Sequence, residues 1–489
     1  MAMTPEETVS YLDAKLLKAQ RHLRRLDAYY EGEQPLRFLA LELKQEFGER
    51  LAELVINWPE MVADAYEARL DLTGFRFPGS ISNGVDVDDA DADVWGIWQD
   101  NDMDRQAPQA HLESIALGRS YAIVGARGKL AEGPAAEDAP ADPFDVDTDS
   151  PLISVEHPTQ CITEQDPRTR QPVSALKRWK DADNVQRATL YLPDSTRHFV
   201  RARRWVEQDR DEHNLGVVPV VPLVNRGRML KHDGRSEFAS AIPLADAANK
   251  MATDMMVSGE FHAMPRRWAL GMGAEDFEDE NGNTISPFEQ IAGRIWAHPK
   301  KPGEVEVGQF PESDLSVFHS TIRVLAQLAA QLAALPPHYM SFNTDNPASA
   351  DAIRSSEAQM VKRVERKQTG LGADWRRVMA IALRIRDGED WDSRVRRMKV
   401  VWRDASTPTV AQAADAAVKK RQQGITTLRQ TRIDLGYAPE EIRRMEEEDE
   451  AEAQRDPVRR IADELNGARS VTPPAETPAE PVAEPASVG

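Results

Sequence analysis

The chain is 489 residues long and 41% hydrophobic, with 61 basic against 81 acidic side chains and a formal net charge of −20. That length exceeds one simple core and points to two to four domains, or a single large elaborated one. The acid excess disfavours a lasting grip on phosphates, the lone Cys161 excludes an internal disulfide and a cysteine-cage zinc site, and no apolar run reaches the eighteen or so residues needed to span a bilayer.

The opening "MAMTPEETVSYLDAK" lacks a basic segment followed by an apolar one, so no export signal is expected and the setting reads as intracellular and reducing. Thr4, with Pro5 just inside and Glu7 three residues on, predicts a capping box and a helix that stops at Gly32. Leu12, Leu16, Leu23, Leu26 and Tyr30 keep its helical period. A second helix starts from Asn57. A third runs through "DADVWGIWQDNDMDRQAPQAHLESIALG" to Gly118 and carries Trp95, Trp98, Leu112, Ile115 and Leu117.

Strand patterns follow at 119–126, 151–158, 175–180, 187–193, 198–205 and 218–226. Between the first two lies "EGPAAEDAPADPFDVDTDS", with seven acids and no base, which reads as an exposed loop. Helices return from Ser236, rich in Ala and Met. Residues 263–312 form a short β insert with turns at "ENGN" and "KKPGE" and strand-like "RRWALG", "RIWAHP" and "EVEVGQF". Next, Leu315, Phe318, Ile322, Leu325, Ala329 and Leu332 alternate spacings of three and four, a helix of ~33 Å at 1.5 Å per residue.

That helix meets Pro336-Pro337. Proline lacks an N–H and excludes the helical conformation just before it, so the helix ends there. A polar stretch leads to Asn346-Pro347, an N-cap and first helical residue. From 348 to about 386 one pattern holds Ile353, Met360, Val364, Leu371, Trp375, Val378 and Ala382 on one side, a helix approaching ~58 Å. A strand-like "RRMKVVWRD" precedes two or three short helices. The last 23 residues are Pro/Ala/Glu low complexity and are expected to be disordered.

Catalytic patterns are sparse. "GARGKL" lacks the spacing and the hydroxyl of a phosphate-binding loop, and HExxH, GxSxG and GxGxxG do not occur. Ten histidines stand singly, which favours surface or packing roles over metal ligation. The acids of "VDVDDADADV" read as dipole partners at a helix start rather than a metal site. Asp145, Asp147, Asp149 and Glu156 fall at positions 1, 3, 5 and 12 of a calcium-loop pattern, but Ser150 replaces the turn glycine and the flanks are not helices. A solvated loop is the better reading.

Several stretches, in their joint order, carry a resemblance: "YYEGEQPL", "NWPEMVADAYEARLDLTGFR", "VPVVPLVNR", "GRSEFASAIPLADAANK", "FHAMPRRWALG", "LPPHYMSFNTDNPASADAIRSSEAQMVKRVERKQTGLGADWRRVM" and "GITTLRQTRIDLGYAPEEI". They resemble the portal (head–tail connector) proteins of tailed double-stranded DNA bacteriophages, of the siphovirus type, across most of the chain. The resemblance implies an α+β, predominantly helical fold with wing, stem, clip and crown, assembled as a twelve-fold ring around a central channel at one capsid vertex. Mapped here, it implies a wing over 1–235, stem helices over 236–262 and 313–335, and a clip over 263–312. A tunnel loop over 336–347, a long wing helix and return strand over 348–404, a crown over 405–466 and the tail over 467–489 complete the map.

By the same resemblance, Pro336, Pro337, His338, Tyr339, Met340, Ser341, Phe342, Asn343, Thr344, Asp345 and Asn346 line the narrowest part of the channel, where weak polar contacts let DNA pass. A surface loop between helices is the alternative. Glu275, Asp276, Glu278, Asp279 and Glu280 form an acidic clip rim that docks basic partner residues, or else a solvated hairpin. Implied partners are further copies of the chain, the major capsid protein, scaffold, the terminase large subunit, the head–tail adaptor and double-stranded DNA in transit without sequence specificity. No cofactor, enzymatic activity or membrane is implied, and the expected location is the virion, after assembly in the host cytoplasm. Rival readings are another head component, minor capsid or scaffolding, and a metal-dependent hydrolase built on an Asp cluster.

Overall fold

The computed structural model describes residues 3–35, 54–77, 88–127, 150–263, 267–270, 306–309, 315–340, 350–390, 393–406, 410–435, 437 and 439–455. Its contacts divide the chain into two compact units, 1–406 and 407–489. In the first, α1 (Pro5–Tyr30) begins with the capping box read from its sequence: Thr4 Oγ1 accepts the Glu7 N–H at 3.3 Å, and the Glu7 carboxylate accepts the Thr4 N–H at 2.8 Å. Its apolar stripe serves two cores. Val9, Leu12 and Leu16 pack on a sheet, while Leu23, Leu26 and Tyr29 enter the main helical core.

Asn57 caps α2 (Trp58–Glu67), its side chain accepting the Glu60 N–H at 3.4 Å. Strand β1 (Leu72–Arg76) follows. The single helix expected up to Gly118 is two, α3 (Asp88–Asp100) and α4 (Met103–Leu117). Asp102 between them is left-handed, with φ of 50°, a conformation that Asn and Asp tolerate better than other side chains. The buried Asn101 amide bonds the carbonyls of Ile97 and Pro151 and accepts the Ile153 N–H at 2.8 Å, so the break is tied down from both sides.

Strands β2 (Arg119–Gly125) and β3 (Leu152–Glu156) pair antiparallel. Then β4 (Cys161–Gln165), β5 (Pro172–Lys180), β6 (Gln186–Tyr191), β7 (Ser195–Arg201) and β8 (Trp205–Glu212) form an antiparallel meander, each strand beside its sequence neighbour. Strand β9 (Val220–Val224) returns to the other edge of β2, giving the order β3-β2-β9. The strand pattern read over 198–205 is the end of β7, a turn and the first residue of β8. Most of β8 is exposed, so an outer strand with charged side chains leaves no apolar alternation to read.

After a short 3₁₀ turn at Glu237–Ser240, α5 (Ile242–Ala263) leads to β10 (Arg267–Leu270). β10 pairs antiparallel with β11 (Glu306–Gln309), and α6 (Ser316–Ala333) follows. One helical turn, α7 (Pro337–Met340), precedes α8 (Ala350–Asp387), 38 residues and about 57 Å long. Strand β12 (Lys399–Trp402) then pairs with β1, more than 300 residues earlier.

Aromatic packing seats α8 against the N-terminal helices. Trp375 meets Trp98 edge to face with centroids 5.1 Å apart, and Phe75 meets Trp98 at 5.4 Å. The second unit contains α9 (Val410–Gln422), α10 (Leu428–Asp434) and α11 (Pro439–Arg455), with Ala417 and Ile442 buried and Arg432 paired to Asp449 at 2.7 Å. Among the described residues no helix is long and apolar enough to cross a membrane.

Candidate functional site

Helices α5 and α6 pack together as the arms of a hairpin, with β10 continuing one arm and β11 leading into the other. Their shared side is built from small residues: Ala245, Ala248 and Ala252 on α5, and Ala326, Ala329, Ala330 and Ala333 on α6, all buried. Alanine lets the two backbones approach closely. The larger members of the expected stripe flank that seam, with Ile322 and Leu325 half-buried and Leu332 exposed. A second apolar row, Val317, Val324, Leu328 and Leu332, is 44–60% exposed. Their spacings of seven, four and four keep them on one face of α6.

The hairpin is anchored at its base. Ala334, left-handed with φ of 55°, ends α6 and leaves the last carbonyls without helical partners. The Tyr66 hydroxyl donates to the Ala333 carbonyl at 2.7 Å, and Arg363 Nη1 donates to the Ala333 and Leu332 carbonyls at 3.1 and 3.4 Å. A cation there also suits the negative end of the helix dipole.

Beside this, Glu237 is fully buried and binds three cations. Lys367 Nζ bonds it directly, Arg226 Nη1 lies at 3.2 Å and Arg363 Nη1 at 3.5 Å. Asn225 joins by donating to Glu237 at 3.4 Å and accepting from Lys367. The Lys367 ammonium also sits 5.0 Å from the Tyr66 ring centroid. Burial alone would raise the Glu237 pKa, but Lys367 and Arg226 outweigh it and hold the carboxyl below its usual value. Burial pulls Lys367 down, with Glu237 opposing. One node therefore joins the start of the first hairpin arm, the end of the second, the residues after β9 and the middle of α8.

The segment read as a channel liner divides. Pro336 is buried, its carbonyl accepting the Tyr339 N–H at 3.0 Å, and Pro337 opens α7 instead of loop. His338 is exposed. Tyr339 is half-buried, its hydroxyl accepting from Arg69 Nη2 at 3.1 Å, while the same guanidinium reaches Glu357 at 3.0 Å and the Ala405 carbonyl at 2.9 Å. Met340 is buried in the main core. Ser341, Phe342, Asn343, Thr344, Asp345 and Asn346 lie outside the described residues, as do Glu275, Asp276, Glu278, Asp279 and Glu280 and the C-terminal tail.

Sequence reading did not single out the anchoring node. One signal was available: Lys367 stands between Val364 and Leu371 at spacings of three and four, a lysine on an apolar stripe. Such a position needs a buried anion. Glu237 itself sits in an unremarkable "SEFAS".

Chemistry elsewhere is sparse. Among the described residues no group of three or more His, Cys, Asp or Glu is placed to hold a metal ion. Glu156 of the calcium-like pattern is engaged by Lys177 and by Ser154 at 3.2 Å, while Asp145, Asp147 and Asp149 lie outside the described residues. His111 is a core residue: Trp375 Nε1–H donates to its Nε2 at 2.8 Å, and burial lowers its pKa to about 3.

The described residues thus form a hairpin of two small-residue helices on a mixed α/β base, with a long helix beside it. Residues 10–455 match the family model described as phage portal protein, SPP1 Gp6-like, and the chain belongs to that family. It is 34% identical over 463 residues to the portal protein of Mycobacterium phage D29, covering 92% of this chain and 89% of that one. With the portal protein of Mycobacterium phage L5 it shares 34% identity over 462 residues, with the same coverage.

Proposed function

We propose that this protein is a structural, non-enzymatic portal subunit of a tailed double-stranded DNA phage virion. Twelve copies form a ring at one capsid vertex, and viral DNA is packaged and later ejected through its channel. The observation that carries the ring is the uncovered row of Val317, Val324, Leu328 and Leu332 on a helix whose opposite, alanine side is already packed. Water on that row is unfavourable by roughly 25 cal/mol per Å² of apolar surface, and a second copy of the chain is the cover that family membership supports. The hairpin α5–α6 is the stem, 263–312 the clip, 1–235 with 348–404 the wing and 405–466 the crown.

On this reading 336–347 is the tunnel loop. The node around Glu237 and Lys367 fixes the stem to the wing, so that load on the stem reaches α8 through a rigid join. The net charge of −20 per chain, multiplied round the ring, repels phosphates and keeps the duplex centred. The clip acids dock the terminase large subunit and afterwards the head–tail adaptor. Scaffold and major capsid protein contact the outside. Native mass spectrometry and negative-stain imaging of the purified chain test the ring: a multiple of the 54.6 kDa subunit with a central pore is expected. A stable single-chain particle overturns the proposal.

A further inference from the structure

A chain with twenty excess acids carries a helical stretch of the opposite sign near its start. Between Asp13 and Asp27, α1 holds Lys15, Lys18, Arg21, His22, Arg24 and Arg25 and no carboxylate. Lys15 is engaged, pairing with Glu164 at 2.7 Å. The others are exposed. Lys18, Arg21, His22 and Arg25 stand at i, i+3, i+4 and i+7, which places them on one face. Together with Arg24, Ala28, Tyr29, Gln34 and Pro35 they line an open cavity of about 570 Å³. Like charges at these spacings destabilise a helix by a few tenths of a kcal/mol per pair. Among the described residues Lys18, Arg21, His22 and Arg24 meet no carboxylate.

A second observation points to a ligand. Gln34 lines the same cavity, is only 4% exposed, and has neither its amide oxygen nor its nitrogen hydrogen-bonded. Buried amides are almost always paired, and an unpaired one costs about 1–3 kcal/mol. A ligand with acceptor oxygens satisfies the Gln34 N–H group and the cations together. The nearby carboxylate of Asp246 is occupied, accepting from the Tyr29 hydroxyl at 2.9 Å.

We propose that this face of α1 binds phosphate groups, supplied by the phosphodiester backbone of nucleic acid. Two features favour a backbone over a free nucleotide. The Tyr29 ring is buried with Arg25 over it at 5.6 Å, so this tyrosine offers no open face to stack a base. The cations from Lys18 to Arg25 also extend ~10 Å along the helix, the rise of about three phosphates on one strand. Contacts of this kind position nucleic acid without reading sequence. The site is independent of whether the chain forms a ring.

The test is fluorescence anisotropy of the full-length protein with two unrelated labelled duplexes of about 30 base pairs, from about 50 to 200 mM salt. Equal affinity for both and a salt slope steepened by about −0.9 per cation engaged are expected. Lys18→Gln with Arg21→Gln and Arg24→Gln should weaken binding at least tenfold and flatten the slope by about 2.7. Arg203→Gln with Arg204→Gln, exposed cations that do not line the cavity, should leave it unchanged. Gln34→Leu should weaken binding about threefold without lowering the melting temperature. Unchanged DNA affinity in the triple variant overturns the site. Full competition by millimolar pyrophosphate at constant ionic strength overturns the choice of nucleic acid as the phosphate source.

Discussion

Lys367, midway along the 38-residue α8, is ion-paired inside the protein to Glu237, which stands at the entry to the first arm of the helical hairpin 130 residues earlier. Glu237 is the carboxylate that Lys367 meets there, and Lys367 is the nearest of the three cations around Glu237. The pair is closed by Asn225 and flanked by Arg226 and Arg363, so each partner has hydrogen bonds beyond the single contact. Burial of a charge is tolerated only under such conditions.

Removing one member should therefore hurt more than removing both. Lys367→Met leaves Glu237 with Arg226 and Arg363 at longer range, and Glu237→Gln leaves Lys367 without a carboxylate. Each single change should cost about 3–5 kcal/mol in urea unfolding, and the double variant should recover part of that loss. Because the Glu237 pKa is lowered in the fold, its contribution is present above its unfolded value of about 4.5 and is lost as pH falls through the folded one. Additive losses in the double variant would show the two side chains acting separately.

Gly234 is the tightest point of the same junction. Its φ is +77°, and a Cβ there would lie 2.0 Å from the Gly118 carbonyl oxygen and 2.7 Å from that of Asn225. Both neighbours are fixed: Asn225 N–H donates to Gly118 at 2.9 Å, and Arg235 N–H donates to Asn225 at 2.9 Å. Gly234→Ala should cost more than about 3 kcal/mol or abolish soluble yield, since backbone atoms cannot move aside as a side-chain tip can. Gly259→Ala, with open space around it on α5, should be neutral or stabilising by up to about 1 kcal/mol. Equal thermal melts for the two variants would refute this account.

Asp374 predicts a pH dependence of opposite sign to that of Glu237. Burial raises its pKa to about 7, with Arg377 at 3.5 Å and the Val224 N–H at 3.5 Å opposing only weakly. The folded chain thus holds a proton that the unfolded chain has released above about pH 4. Stability declines as pH rises from about 4 to 7, by up to about 1.4 kcal/mol per unit. Asp374→Asn mimics the protonated form and should match the parent near pH 4 and exceed it by up to about 4 kcal/mol at pH 8. A gap in melting temperature that does not grow with pH would exclude ionisation of Asp374 as its source.

Local pattern made much of this fold readable, and the exceptions share a cause. The capping box at Thr4, the proline stop at Pro336 and the long stripe from Met360 to Val378 depend on neighbours within a few turns. Strand β1 was not legible because its partner, β12, lies more than 300 residues away and "LTGFR" alternates too briefly to register. The break at Asp102 depends on Asn101 reaching Pro151, another contact between distant segments. In the hairpin the helical period was clear, but the most deeply buried residues were alanines. Close approach of two helices rewards small side chains, a pairing that one helix read alone does not reveal.

The row left outside that hairpin gives the most direct test of assembly. Val324 and Leu328 are 54% and 44% exposed, and they stand on the side of α6 away from its buried alanines. In a lone chain, Val324→Glu with Leu328→Glu changes only solvated positions, so the melting temperature should move by no more than about 0.5 kcal/mol of stability would produce. In a ring the same change buries unpaired carboxylates at each contact, which association cannot bear. The expected result is a folded subunit in native mass spectrometry where the parent gives an oligomer. Ala329→Leu is the converse: it overfills the seam between α5 and α6 and should cost about 1–3 kcal/mol in the chain itself. Rings of unchanged mass from the double glutamate variant would show that another surface joins the copies.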